Sequence, residues 1–200
     1  MRAMPEARRD GRLAGFQIVA GMVALMWASE VLDVIAGHRL DRLGIEPRET
    51  DGLIGVVTAP FLHGGFGHLI SNTLPFVTMG IVIAFAGAAR VLAVTAIVAV
   101  GSGLGAWLLG DEGTVHIGAS GVVFGYGTYL LARGFFNRDA LELAIAAVVA
   151  VIWGGALLGG VLPEEGVSWQ SHVFGAIGGV IAAQLLARKR DGGRTSTDPA

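Results

Sequence analysis

The sequence predicts an all-α polytopic membrane protein that crosses the membrane six times and has both termini in the cytoplasm. Of its 200 residues, 53% are apolar and only 15% are charged, whereas a soluble domain carries about 25% charged residues. The charged residues stand in short clusters between long apolar runs, which is the pattern of an integral membrane protein. The runs lack the alternation of apolar and polar residues that a membrane β-barrel requires.

Six apolar runs define the predicted helices, and most approach the about 20 residues that span a bilayer core. They cover residues 13–36, 68–88, 90–109, 119–133, 140–161 and 169–188. The first run is too long for the apolar part of a signal peptide, so we expect it to be retained as a helix. Only a short turn separates the second run from the third, which predicts a helical hairpin. The fourth run is the shortest.

The runs divide the chain into a membrane domain and two ends. We expect a cytoplasmic segment over 1–12, a six-helix membrane domain over 13–188 and a disordered cytoplasmic tail over 189–200. The membrane domain includes a long outer loop over about 37–67. The second half of this loop is apolar and rich in Gly, Pro and aromatic residues, so it is too broken to span and too apolar for a solvated loop. We expect it to lie partly in the outer leaflet, covered by protein.

The basic residues predict the orientation, because the cytoplasmic loops of membrane proteins are rich in Lys and Arg. Eleven of the fourteen basic residues fall on one side of a six-helix path, namely Arg2, Arg8, Arg9, Arg12, Arg90, Arg133, Arg138, Arg188, Lys189, Arg190 and Arg194. The three others share the long loop with four acidic residues. Both termini are therefore predicted to be cytoplasmic. Abundant Ala, Gly and Arg fit a high-GC bacterial genome, so we expect the inner (cell) membrane of a bacterium.

Four polar side chains recur near the outer ends of the predicted helices. Ser120 opens the fourth helix, and His172 lies about one turn into the sixth. His68 and Asn72 are four residues apart, so they share one face of the second helix. Reactive polar groups at membrane depth are costly to insert and are usually functional. We expect these four side chains to converge on one site.

These residue types fit acyl transfer. A serine hydroxyl is a poor nucleophile until a base removes its proton, and histidine titrates in a suitable range, which predicts a dyad of Ser120 and His172. The oxyanion formed in such a reaction needs hydrogen-bond donors, and Asn72 and His68 can supply them. No acidic residue of the later helices is placed as a third member. The pairs Gly121 with Gly125 and Gly175 with Gly179 predict close approach of the fourth and sixth helices.

Three motifs follow one another on the second, fourth and sixth helices. They are His63-x4-His68-x3-Asn72, Gly118-Ala119-Ser120-Gly121 and His172-x2-Gly175-x3-Gly179. Together they resemble the signature of the rhomboid family of intramembrane serine proteases, and the resemblance covers the whole six-helix core. It implies that Ser120 is the nucleophile and His172 the base, with Asn72 and His68 on the oxyanion side. It also implies that Phe124 packs on the histidine, where relatives often have tyrosine.

The resemblance implies an endopeptidase for single-span membrane proteins that cuts near the outer face and needs neither a cofactor nor a metal ion. Its partners would be transmembrane substrates and membrane lipid, without nucleic acid, and the sequence indicates no oligomeric state. The supporting residues would be His63, Gly118, Gly121, Phe124, Gly175 and Gly179. Many bacterial relatives carry a Trp-Arg pair in the first loop, and this chain has no tryptophan over 37–67.

Other interpretations of the same residues remain open at this point. The chain could be an inactive rhomboid-like binding protein, or a small transporter that relays protons through its histidines. A metal site of three histidines is disfavoured because no HExxH motif is present. His116 is a rival base, whereas His63 is expected to form a structural hydrogen bond within the loop. Glu30 and Asp33 are expected to face interfacial water or the arginines of the loop.

Overall fold

The computed structural model describes residues 6–164 and 166–187, which form helices joined by turns and loops and contain no β-strand. We number the α-helices in chain order. They are α1 Glu6–Ile35, α2 Gly55–Thr58, α3 Phe66–Ala84, α4 Ala88–Leu109, α5 Ser120–Asn137, α6 Ala140–Gly159 and α7 Trp169–Leu185. Each of the six predicted runs overlaps one of the long helices, and the all-α prediction is confirmed. Within the described residues, four helices are by length and composition apolar enough to cross a membrane, namely α1 over Arg9–Ile35, α3, α4 and α6.

The two remaining long helices, α5 and α7, lie at the centre of the bundle. Ten of the 18 residues of α5 and eight of the 17 residues of α7 are buried. A helix enclosed by protein needs less apolar surface than one that faces lipid, which explains the more polar composition of α5. By contrast, α6 has few buried residues and exposes large apolar side chains such as Val151 and Ile152. Ser120 and His172 therefore stand on the two most enclosed of the long helices.

Helix α5 runs one turn further than its apolar run predicts. It continues beyond Arg133 to Asn137 and ends at Arg138, whose φ of +51° is left-handed. The reason is that Arg133 forms an ion pair with the buried carboxylate of Glu142, to which Asn137 also donates a hydrogen bond of 2.7 Å. A neutralised arginine does not need to end the helix at the membrane surface.

The long loop is more regular than predicted. It contains α2 and the 3₁₀ turns Leu40–Leu43, Asp51–Ile54 and Ala59–Phe61. Short helical turns let the backbone groups form hydrogen bonds within the loop. A segment that lies in apolar surroundings requires such bonds, because no water is there to form them. Two backbone hydrogen bonds of 2.9 Å pair Ile45 with His116, so the loop is fastened to the segment that precedes α5.

The end of α1 differs from the prediction. Glu30 and Asp33 do not face water, since only 1% and 2% of their surface is exposed. Asp33 accepts a 2.6 Å hydrogen bond from the Leu40 amide and lies 3.1 Å from the imidazole of His38. Among the described residues no arginine forms an ion pair with either acid. The expectation was wrong because the loop folds back over the end of α1 and covers both side chains.

Candidate active site

Ser120 is the first residue of α5, and a left-handed glycine turns the chain into that helix. Gly118 has a φ of +113°, which disfavours any other residue. A Cβ at this position would also lie 2.7 Å from two ring atoms of His68. The Gly118 amide donates a 2.9 Å hydrogen bond to the Ala59 carbonyl in the loop. Glycine at this position therefore allows both the turn and the close approach of the histidine ring.

His172 lies in the first turn of α7, which packs closely on α5. Ser168 caps α7 by accepting a hydrogen bond of 3.4 Å from the Ser171 amide. A Cβ at Gly175 would overlap the carbonyl oxygen of Gly121. A Cβ at Gly179 would likewise overlap the carbonyl oxygen of Gly125. The backbones of α5 and α7 are thus as close as glycine allows, as the sequence predicts.

The side chains of Ser120 and His172 meet directly. The Ser120 Oγ lies 2.8 Å from His172 Nε2, and His172 Nδ1 lies 2.6 Å from the carbonyl oxygen of Gly160. A carbonyl can only accept a hydrogen bond, so Nδ1 carries the proton of the neutral ring. Nε2 is then free to accept the hydrogen bond that the serine hydroxyl donates. This is the tautomer that a base needs for Ser120.

Phe124 and Gly160 fix the plane of the histidine ring. The Phe124 ring stacks on the ring of His172 with centroids 4.1 Å apart and an interplanar angle of 4°. A Cβ at Gly160 would lie 2.5 Å from the Phe124 ring and 3.2 Å from His172 Nδ1. Gly160 was not predicted, since its contribution is a backbone carbonyl and an absent side chain, and neither leaves a distinctive residue type in the sequence.

His68 and Asn72 line the same cavity as Ser120 and His172, and its volume is about 1050 Å³. Asn72 Nδ2 donates a 2.9 Å hydrogen bond to the His68 carbonyl, and the amide has a second hydrogen to offer. His68 Nδ1 accepts a 3.4 Å hydrogen bond from the Gly64 amide. In the neutral ring His68 Nε2 then carries the proton. Both side chains therefore have a hydrogen left to donate, and both belong to residues that line the cavity.

His63 holds the start of α5 from the side of the loop. Its Nε2 accepts a 3.4 Å hydrogen bond from the Ala119 amide, and its ring packs edge-on against His68 with centroids 5.2 Å apart. Burial, with a smaller effect of His68, lowers the pKa of His63 to about 4, so the ring is neutral and can accept. The sequence predicts a hydrogen bond of His63 within the loop, whereas the partner found here is the residue before α5.

His116, the rival base, forms no hydrogen bond with Ser120. Its Nδ1 lies 2.7 Å from the hydroxyl of Ser168 and its Nε2 lies 3.0 Å from that of Thr114. Burial lowers the pKa of His116, and Asp111 partly opposes this effect. Within the described ranges the histidines of the three motifs do not form a metal-ligand group. The geometry thus favours His172 over His116 as the base and gives no support to a three-histidine metal site.

A model of the Rhomboid domain matches residues 50–189 of this sequence. The chain belongs to the rhomboid family. Rhomboids are a family of intramembrane proteases in which most members are serine proteases and some are inactive. With four helices that are apolar enough to cross a membrane, this rhomboid is a multi-pass integral membrane protein.

Relatives of this rhomboid occur in several bacteria. An uncharacterized protein of Mycobacterium tuberculosis (strain ATCC 25618 / H37Rv) is 43% identical over 188 residues, which are 90% of this chain and 78% of the relative. An uncharacterized protein of Mycobacterium leprae is 40% identical over 195 residues, or 92% of this chain and 77% of the relative. A Bacillus subtilis protein named "Putative rhomboid protease YdcA" is 27% identical over 138 residues, or 68% of each chain.

Proposed function

We propose that this rhomboid is an intramembrane serine endopeptidase that cleaves single-span membrane proteins near their outer face. The observation that carries the proposal is the geometry of the dyad. Ser120 Oγ lies 2.8 Å from a His172 nitrogen that is unprotonated, because the other nitrogen is bonded to the Gly160 carbonyl. An inactive family member has no need of this alignment.

In the proposed reaction Ser120 attacks the peptide carbonyl while His172 Nε2 removes the hydroxyl proton. The imidazolium then gives that proton to the leaving amine, which departs with one half of the substrate. Water, deprotonated by the same nitrogen, hydrolyses the acyl-enzyme and restores the serine. The Gly160 carbonyl holds the ring in place throughout, in the position that a carboxylate occupies in a triad.

The oxyanion would be stabilised by donors from α3. Asn72 Nδ2 has a second hydrogen to donate, His68 Nε2 carries a proton, and both residues line the same cavity as Ser120. Donors that are fixed before the reaction stabilise the developing charge without reorganisation. The buried position of Asn72, which is 4% exposed, keeps its amide in one orientation.

We propose that all six long helices cross the membrane and that both ends of the chain face the cytoplasm. The 18 residues of α5 and the 17 of α7 correspond to about 27 Å and 26 Å of helix, slightly less than the roughly 30 Å hydrocarbon core. The membrane domain would cover 13–188, and α1 continues the same helix back to Glu6. The proposed cytoplasmic tail over 189–200 lies outside the described residues. Relatives in bacteria support a location in the bacterial inner membrane.

The partners would be transmembrane substrates presented from the lipid, and neither cofactor nor nucleic acid enters the mechanism. The cavity wall combines the polar dyad with apolar side chains of three helices, including Pro75, Val123, Trp153 and Leu157. Such a wall can accept an unwound apolar segment while the polar residues face its backbone.

Labelling by a fluorophosphonate probe tests the proposal most directly. We expect one label on Ser120 in the detergent-solubilised protein, no label in Ser120→Ala and a strongly reduced rate in His172→Ala. Ser71→Ala is a matched control, because Ser71 also lines the cavity but makes no contact with His172. If the folded wild-type protein is not labelled, the chain is an inactive rhomboid-like protein or a transporter.

A further inference from the structure

A second cluster of ionisable side chains lies outside the candidate active site, where the long loop covers the end of α1. Donor atoms of Asp33, His38 and Asp41 all lie within 4.8 Å of one another. Ligand atoms that bind one tetrahedral ion at about 2.1 Å lie about 3.4 Å apart. A closure of about 1 Å, which rotation of the side chains can supply, would therefore bring all three onto a single ion.

Glu30 points to an ion at this cluster independently of the other residues. Its side chain is 1% exposed, and neither of its carboxylate oxygens has a hydrogen-bond partner among the described residues. The Gly65 amide interacts with this carboxylate without reaching the geometry of a hydrogen bond, and the charged groups that act on it are Asp41, Asp33 and His38. A buried carboxylate anion without hydrogen-bond partners is strongly unfavourable, and a cation bound in the cluster would stabilise Glu30 in its charged form.

No basic side chain supplies that charge in the described part of the chain. The arginine ion pairs found there are Arg48 with Glu112 and Arg133 with Glu142, and neither pair includes a residue of the cluster. Three carboxylates thus stand around one imidazole, which can contribute at most one positive charge. A divalent cation would neutralise two of the carboxylates at once.

We propose that Asp33, His38 and Asp41 bind a divalent transition-metal ion, with Glu30 as a buried counter-charge beside it. Two carboxylates and one imidazole favour a first-row ion such as Zn²⁺ over Mg²⁺ and Ca²⁺, which prefer oxygen ligands alone. The sequence led us to expect no metal site, because it contains no HExxH motif. The proposed site is separate from that chemistry.

The ion would connect three parts of the chain. Asp33 belongs to α1, His38 and Asp41 belong to the loop, and Glu30 interacts with Gly65, the residue that precedes α3. Because α3 carries His68 and Asn72, the ion would stabilise the loop and the entry into that helix. Binding to the folded state alone raises the unfolding temperature in proportion to the logarithm of the ion concentration.

The test uses the full chain without a histidine tag, in detergent and stripped with EDTA. Calorimetric titration with ZnCl₂ is expected to show one ion per chain, bound more tightly than Mg²⁺, and the unfolding temperature is expected to rise with added Zn²⁺. His38→Asn and Asp41→Asn should each weaken Zn²⁺ binding by about tenfold or more. Asp51→Asn, the same change in an exposed acid of the same loop, should leave binding unchanged.

If Asp41→Asn does not fold, His38→Asn still tests the proposal, because His38 is an exposed residue. The His38 side chain is 56% exposed, and its φ of +59° is a conformation that asparagine readily adopts. Equal Zn²⁺ affinity in wild type and His38→Asn would overturn the proposal. So would the absence of Zn²⁺ binding in the folded wild-type protein. These readouts do not depend on protease activity.

Discussion

Asn72 donates one hydrogen bond to the His68 carbonyl, and in the proposed mechanism its second hydrogen binds the oxyanion. We expect Asn72→Ala to lower kcat by about 10²–10³-fold with a much smaller change in KM, because an oxyanion donor acts mainly in the transition state. The measurement is steady-state cleavage of a model transmembrane substrate. Ser71→Ala is the matched control, because Ser71 Oγ donates to the same His68 carbonyl as Asn72 does. Equal losses in the two variants would assign Asn72 a structural role only.

His63 makes the stability of the fold depend on pH. Its pKa is lowered from 6.5 to about 4 by burial and, to a lesser degree, by His68. Between these two values the unfolded chain binds a proton that the folded chain does not, so the stability of the fold is complete above about pH 6.5 and falls as the pH decreases toward 4. We expect the unfolding temperature in detergent to follow this course.

His63→Gln should reduce that pH dependence, because glutamine can still accept from the Ala119 amide but does not titrate. Part of the slope should remain, since burial also lowers the pKa of His116 and acts with the same sign. A variant with the full wild-type slope between pH 6.5 and 4 would show that His63 does not cause it.

At the scale of the helices, the contact between α5 and α7 determines where His172 stands relative to Ser120. A Cβ on Gly179 would overlap the Gly125 carbonyl and the Thr128 hydroxyl. We expect Gly179→Ala to destabilise the fold by about 1–3 kcal/mol and to lower turnover by up to about 10²-fold, because misplacement by roughly 1 Å has an effect of that size. Thermal unfolding and substrate cleavage measure the two effects.

Gly155→Ala on α6 is the matched control for that prediction. A Cβ at Gly155 would meet no atom within 4 Å. Alanine has a higher helix propensity than glycine by up to about 1 kcal/mol, so this variant should be as stable as the wild type or slightly more stable. Equal behaviour of the two variants would mean that α5 and α7 are not held by close glycine contacts.

The helices and the proximity of Ser120 to His172 could be predicted from the sequence, because apolar runs and isolated polar side chains are visible in residue types. The continuation of α5 to Asn137 could not, since it depends on Glu142, a residue of the next helix that neutralises Arg133. The orientation of His172 by Gly160 could not either, because every residue has a carbonyl. The burial of Glu30 was mispredicted because it results from how the loop folds over α1, which no local pattern encodes.

For the molecule as a whole, the position of the dyad predicts where substrates are cut. Ser120 is the first of the 18 residues of α5, which extend over about 27 Å. If Asn137 lies at the cytoplasmic interface, Ser120 lies only a few ångströms below the outer surface of a core about 30 Å thick. If α5 ended at Arg133 instead, Ser120 would lie deeper in the membrane. Water readily reaches the shallower depth.

We therefore expect cleavage within the outer third of the substrate's spanning segment or just outside it, with release of the outer fragment. A substrate that carries a tag at each end, analysed by mass spectrometry of the new termini, locates the scissile bond. Ser120→Ala should yield neither fragment. A bond mapped to the cytoplasmic half of the segment would contradict the proposed topology or the proposed site.

Because Gly160 orients His172 through a dipole and not through an anion, the dyad has no formal charge between turnovers. A carboxylate in that place would be a permanent ion at membrane depth, where the desolvation penalty amounts to several kcal/mol even after relaxation. Serine, neutral imidazole and carbonyl avoid that penalty entirely. In the proposed reaction, opposite charges would exist only for the lifetime of the tetrahedral species, when imidazolium and oxyanion arise together and offset each other within the same cavity.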